Sequence, residues 1–154
     1  SINKDTQVYK NKIIRRLKNK LLKLWSIKVK ERAGNKCETP GCNATEKINA
    51  HHIETYMMHP GLRYDLRNGV AACPGCHKFF KNSWHKSFIF AYKHMTQYRQ
   101  EDLQYLANYK DGNEELTIEK LEQKIKEMEA IKFPEQPNPA IQNQQASSVL
   151  PQQK

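Results

Sequence analysis

Apolar residues near the start of the chain recur at three- and four-residue steps. Ile14, Leu17, Leu21, Leu24 and Trp25 fall on one side, and Lys and Arg fill the others. That period predicts a basic amphipathic helix over residues 5–33, in one piece or as two in series. Gly34 and Asn35 form its stop, since both tolerate the left-handed conformation that ends helices. Residues 47–53 and 69–72 then read as short strands joined by a long loop over 55–67, and Pro74-Gly75 turns the chain into a helix beginning near Cys76. Ser83 is placed to cap a further helix to about residue 97, with Trp84, Phe88, Ala91, Tyr92 and Met95 on one face. Residues 101–109 read as a short helix and Asp111-Gly112-Asn113 as a turn. Thr117 caps a last helix over 118–131, striped by Ile118, Leu121, Ile125 and Met128. The helices after residue 83 read as scaffold.

The pattern implies an α+β, mainly helical fold, and 154 residues leave room for one compact domain with a tail. A large enzyme is excluded, and no run reaches the roughly 18 consecutive apolar residues of a membrane span. Four segments follow: a basic N-terminal helical arm (1–35), a compact core (36–82), a helical region (83–133) and a tail (134–154). The tail holds four prolines and six glutamines in 21 residues, so it is expected to be disordered. The formal charge is +10, and residues 1–36 carry 12 of the 26 basic residues against 2 of the 16 acids. That arm points to a polyanion, nucleic acid before an anionic membrane surface. No signal peptide is expected ahead of it, which places the chain in a reducing cytoplasm.

In that setting four cysteines read as metal ligands. Cys37-x4-Cys42 and Cys73-x2-Cys76 have 30 residues between them, and each pair spans a turn, Thr39-Pro40-Gly41 or Pro74-Gly75. Four thiolates in tetrahedral geometry describe a closed structural zinc site with no position for substrate. Its role is to fold a loop-rich segment that has little core of its own.

Between the pairs stand Ala50-His51-His52-Ile53 and, 16 residues after His52, Asn68; His77 follows Cys76 directly. Each alone has an ordinary reading. Asn68-Gly69 is a hairpin turn, His51-His52 a surface strand pair, and His77 a zinc ligand in a Cys3His set. On a strand, adjacent side chains point to opposite faces, so the two histidines have different tasks unless the strand bends. Together, Cys37…Cys42…His51-His52…Asn68…Cys73-x2-Cys76-His77 resembles the HNH nuclease motif, a ββα unit that holds one divalent cation and cuts a phosphodiester bond. The resemblance implies a DNA endonuclease with His52 as general base and His51 and His77 as metal ligands. Asn68 is implied as a residue that orients the base or joins the metal shell. Lys81 stands where colicin-type members carry a further histidine. Fewer protein ligands then favour magnesium or manganese as the catalytic ion. His59 and His85 could approach the phosphate or be bystanders, and His94 lies in an amphipathic helix.

Residues 62–68, with Ala50-His51-His52 and the downstream helices, are similar to the phage NinG (Rap) recombination nucleases over about residues 25–131. That family has glycine where His51 stands and asparagine where His77 stands. Branched-DNA cutting in recombination and general nicking by a phage or mobile-element enzyme, acting in recombination, replication or packaging, are both implied; the location would then be the host cytoplasm. Lys10, Lys12, Arg15, Arg16, Lys18, Lys20 and Lys23 are expected along phosphates, with Arg63, Arg67, Lys78 and Lys81 nearer the scissile strand. No membrane partner is expected, and the C-terminal helix leaves room for a homodimer. The alternative is a zinc-knuckle DNA-binding module without catalysis, and the tail with helix 117–131 could join a larger complex.

Overall fold

Asn3 accepts a hydrogen bond from the Asp5 amide and opens α1 (Lys4–Arg32), while Asp5 sits at the positive end of the helix dipole. The computed structural model describes residues 3–112 and 114–135, so the expected tail lies outside the described residues except for Pro134 and Glu135, and so does Asn113 of the expected turn. α1 is one helix of 29 residues, about 43 Å long at 1.5 Å per residue. It stops where the sequence indicates. Gly34 and Asn35 have φ of 65° and 56°, and their amides bond back to the Glu31 and Lys30 carbonyls.

Strands β1 (Asn49–His52) and β2 (Gly69–Ala72) pair antiparallel, Asn49 opposite Ala72 and His52 opposite Gly69. β1 starts later than expected because Lys47 has φ of 54°, incompatible with an extended chain. β2 is buried throughout and divides the core. Ala71 faces Leu21, Trp25 and Val29 of α1, while Val70 and Ala72 face the cysteines, Leu62, Trp84, Met95 and Leu106. Gly69 is required where α1 crosses the sheet, since a Cβ there would lie 2.3 Å from Val29 Cγ2 and 2.9 Å from Trp25 Cζ2.

The remaining helices are α2 (Phe88–Tyr98), α3 (Gln100–Asn108) and α4 (Ile118–Ala130). Thr117 caps α4 as expected, accepting from the Lys120 amide, and Leu121, Ile125 and Met128 are buried against α1. The stripe of the C-terminal helix is thus used within the chain. Three expectations change. The helix foreseen from Cys76 is a single π-helical turn, Gly75–Phe79, closed by the Phe80 amide on the Gly75 carbonyl. α2 is capped by Ser87 and not Ser83, because the buried Ser83 instead turns the chain through its carbonyl, which accepts from Lys86 and Ser87. The later cap rotates the helix, so Met95 and His94 are buried while Phe88 and Tyr92 are exposed.

Two arginines lock these parts together. Arg32 of α1 and Arg99 before α3 each donate to the Gly69 carbonyl at 2.6 Å, and Glu38, beside the first cysteine, lies within 4.0 Å of both guanidinium groups. Among the described residues no helix is long and apolar enough to cross a membrane.

Candidate metal centres

The four cysteines converge as the turns require. Cys42 donates its amide to the Thr39 carbonyl across a turn completed by Gly41 at φ 77°, Cys37 donates to Ala44, and the Cys76 amide points at Cys73 Sγ at 3.5 Å. All four sulfurs lie within 4.8 Å of one another, with Cys42 and Cys73 Sγ 3.7 Å apart. A disulfide would need about 2.05 Å, whereas the edge of a tetrahedron around zinc at about 2.3 Å is about 3.8 Å. The chemistry agrees with the geometry. Burial works against the Cys37 thiolate, yet hydrogen bonds from the Cys73 amide and Thr39 leave its thiol below the ordinary value. Burial and the neighbouring Cys37 push the Cys76 thiol up to about 12. Sulfurs packed so closely cannot all ionise without a cation among them, and this set can hold a structural metal such as zinc.

A second cluster lies on the β1 face that looks toward Trp84. His51 Nδ1 is 3.1 Å from His77 Nε2, and His85 Nε2 is 3.0 Å from the same atom. His77 and His85 are held together by their backbones, the His85 amide donating to the His77 carbonyl at 3.1 Å. One ring nitrogen offers either one lone pair or one proton, so His77 Nε2 cannot satisfy both neighbours as a hydrogen-bond partner. A cation can satisfy all three. Nitrogens bound at about 2.1 Å in adjacent octahedral positions would be about 3.0 Å apart. Burial holds the His51 imidazole down to about 3 and that of His77 to about 4, with neighbouring His and Lys78 charges adding to the effect. Both rings are therefore neutral donors. His77 belongs to this set and not to a Cys3His site.

His52 points the other way, as strand alternation requires. Its ring stacks on Trp25 with centroids 3.9 Å apart and planes 6° apart. Its Nε2 lies 2.8 Å from the Arg63 carbonyl, which only accepts, so Nε2 carries the proton and Nδ1 the lone pair. Burial lowers the His52 pKa, a shift that the Arg63 carbonyl opposes and the Arg63 charge assists.

Asn68 is fully buried. Its side-chain oxygen accepts from the Glu54 amide at 2.7 Å, and its nitrogen donates to the Glu54 and Leu62 carbonyls at 2.9 and 3.2 Å. These bonds tie both ends of the 54–62 loop to Asn68, next to Arg63.

The expected DNA contacts divide. Arg15 and Arg16 are exposed on α1, and Arg15, Lys18 and Arg63 line one shallow groove. Lys78 and Lys81 are exposed beside His77. Lys20 pairs with Glu129 at 3.3 Å. Arg67 is the least available, held by Asp65 at 2.9 Å and laid 3.3 Å over the Tyr105 ring. His59 pairs with Asp111, away from the other histidines, and His94 is a core residue against Trp84.

His85 and Trp25 are the participants whose roles the sequence did not convey. His85 lies eight residues after His77, too far for one helical turn, and only the bend through Ser83 returns it. Trp25 reads as a core residue, which it also is. The chain matches no family model, no curated protein and no solved structure.

Proposed function

We propose that the protein is a metal-dependent DNA endonuclease of HNH type, with a structural zinc in the four-cysteine cluster and a catalytic cation held by His51, His77 and His85. The observation that carries this reading is the split of His51 and His52 to opposite faces of β1. One faces two further imidazoles, and the other holds a free Nδ1 lone pair. Three imidazoles suit a first-row transition ion, so of the two expected ions manganese is favoured over magnesium.

Bound there, the cation supplies charge neutralisation for the phosphate and lowers the pKa of water. The chain supplies the rest. His52 Nδ1 takes the proton from the attacking water, while the Arg63 carbonyl and the Trp25 ring fix the plane of the imidazole. Asn68 keeps the Arg63 carbonyl in place. Arg15 and Lys18 on α1, with Arg63, hold backbone phosphates on the His52 side, while Lys78 and Lys81 do so beside His77.

The test is cleavage of a supercoiled plasmid and of a four-way junction by wild type and His52→Ala, with manganese, magnesium or chelator, on protein of confirmed zinc content. Wild type should cut with metal. The variant should bind DNA but cut about 10²–10⁴-fold more slowly. Preference for plasmid or junction separates nicking from branch cutting. Binding without cleavage by both proteins under every metal would overturn the enzyme in favour of a zinc-knuckle DNA-binding module.

A further inference from the structure

Two members of the three-histidine cluster each open a similar short segment: His77-Lys78-Phe79-Phe80 and His85-Lys86-Ser87-Phe88. The chain folds them side by side. The His85 amide donates to the His77 carbonyl, and Lys86 Nζ donates to the Phe79 carbonyl at 3.1 Å. The aromatic rings that follow do not enter the core. Phe79 is 71% exposed, Phe88 81% and Tyr92 53%, and Phe88 and Tyr92 lie face to face with planes 24° apart. Leaving such rings in water costs free energy that burial elsewhere would have recovered, and a contiguous exposed apolar patch marks a binding surface.

Charge identifies the occupant. Residues 66–100 contain no Asp or Glu but six Lys or Arg. Lys78 is next in sequence to Phe79 and Lys93 to Tyr92, Lys86 reaches the Phe79 carbonyl, all three are exposed, and among the described residues none of them makes a salt bridge. Flat aromatic faces interleaved with unpaired cations fit a chain of unstacked bases on a phosphate backbone. Duplex DNA keeps its base faces stacked inside and offers these rings nothing.

We infer that the face formed by Phe79, Phe88 and Tyr92 with Lys78, Lys86 and Lys93 binds a single-stranded segment of DNA by base stacking and leads it to the three-histidine cluster. The inference rests on the nuclease reading and specifies its substrate: DNA with unpaired nucleotides next to the cut.

The experiment is fluorescence anisotropy on full-chain protein of confirmed zinc content, with no magnesium or manganese added so that nothing is cut. The probes are labelled oligodeoxythymidine of about twelve nucleotides, an abasic oligomer, an oligouridine RNA of the same length, and a hairpin duplex. Oligodeoxythymidine should bind at least about tenfold more tightly than the abasic oligomer. Phe88→Ala and Tyr92→Ala should each weaken it by roughly fivefold or more, with duplex affinity changed less than about twofold. Both side chains are exposed, and a thermal melt confirms that the variants fold. Equal affinity for thymidine and abasic oligomers, no effect of either substitution, or tighter binding of the RNA would each overturn the inference. Base-dependent binding by a protein that cuts nothing would remove only the nuclease reading. Plasmid cleavage without base-dependent binding would remove only the stacking face.

Discussion

The two clusters of side chains that could hold a metal use opposite designs. The sulfur cluster is built from two sequence-local turns, its members Cys37, Cys73 and Cys76 are buried, and the protein supplies four ligands. The histidine cluster draws one residue from β1, one from the π-helical turn and one from the bend before α2. It supplies three ligands, and His85 is exposed. A complete, buried set stabilises a fold, whereas an incomplete and open set leaves positions for water and substrate. On the proposed reading, the number of missing ligands and the side from which solvent arrives separate the structural centre from the catalytic one.

The largest effect should come from breaking the sulfur cluster. Structural zinc contributes about 10–16 kcal/mol to folding in small zinc domains, comparable with the whole stability of a domain. Cys76→Ser, or a strong chelator, should abolish the cooperative thermal transition seen by circular dichroism. A retained transition would mean that the cluster is dispensable.

Breaking the histidine cluster should spare the fold. His77→Ala should keep its zinc and melt within a few degrees of wild type, yet lose the manganese-binding event in titration calorimetry and cleave DNA at least about a thousandfold more slowly. Loss of zinc from this variant would show that the two centres are one structural unit.

Asn68→Ala tests the ground between them. It removes the partner of the Glu54 amide and of the Glu54 carbonyl and one of two donors to the Leu62 carbonyl, around a fully buried side chain, which costs about 2–3 kcal/mol by denaturant titration. Manganese affinity should be unchanged, and a fall would bring Asn68 into the metal shell.

The smallest effect concerns a histidine outside both clusters. Burial, assisted by Arg99, lowers the His94 pKa, so it folds neutral while the unfolded chain takes up a proton below about 6.5. Its contribution to stability is complete above that value and is lost as pH falls toward the lowered one. His94→Gln should therefore flatten the decline below about pH 6.5, by at most about 1.4 kcal/mol per pH unit. An unchanged slope would place the proton uptake elsewhere.

Where local rules decide the structure, the sequence was readable. The Gly34-Asn35 stop, the strand Gly69–Ala72 and the Thr117 cap each depend on a few neighbouring residues, and all appear as expected. The cysteine pairs announce themselves because each sits on its own turn. Other features depend on distant contacts. The helix expected after Cys76 stops at Phe79, and Trp84 and His85 are then drawn back by amide bonds to the Cys76 and His77 carbonyls. No periodicity encodes that reversal, so the sequence leaves His85 open between a site residue and a bystander and does not show the true cap of α2. The pairing of Arg32 and Arg99 on one carbonyl was equally unreadable, since the two lie 67 positions apart.

α1 passes without interruption from the exposed Arg15 and Arg16 to Trp25 beneath His52. A continuous helix fixes both length and phase. Ten residues set Arg15 about 15 Å along the axis from Trp25, and each further residue would swing the two apart by about 100°. The helix therefore behaves as a keyed shaft. Its basic face is locked in azimuth to the imidazole that the tryptophan supports, and one inserted residue between Arg16 and Leu17 would turn the first away from the second.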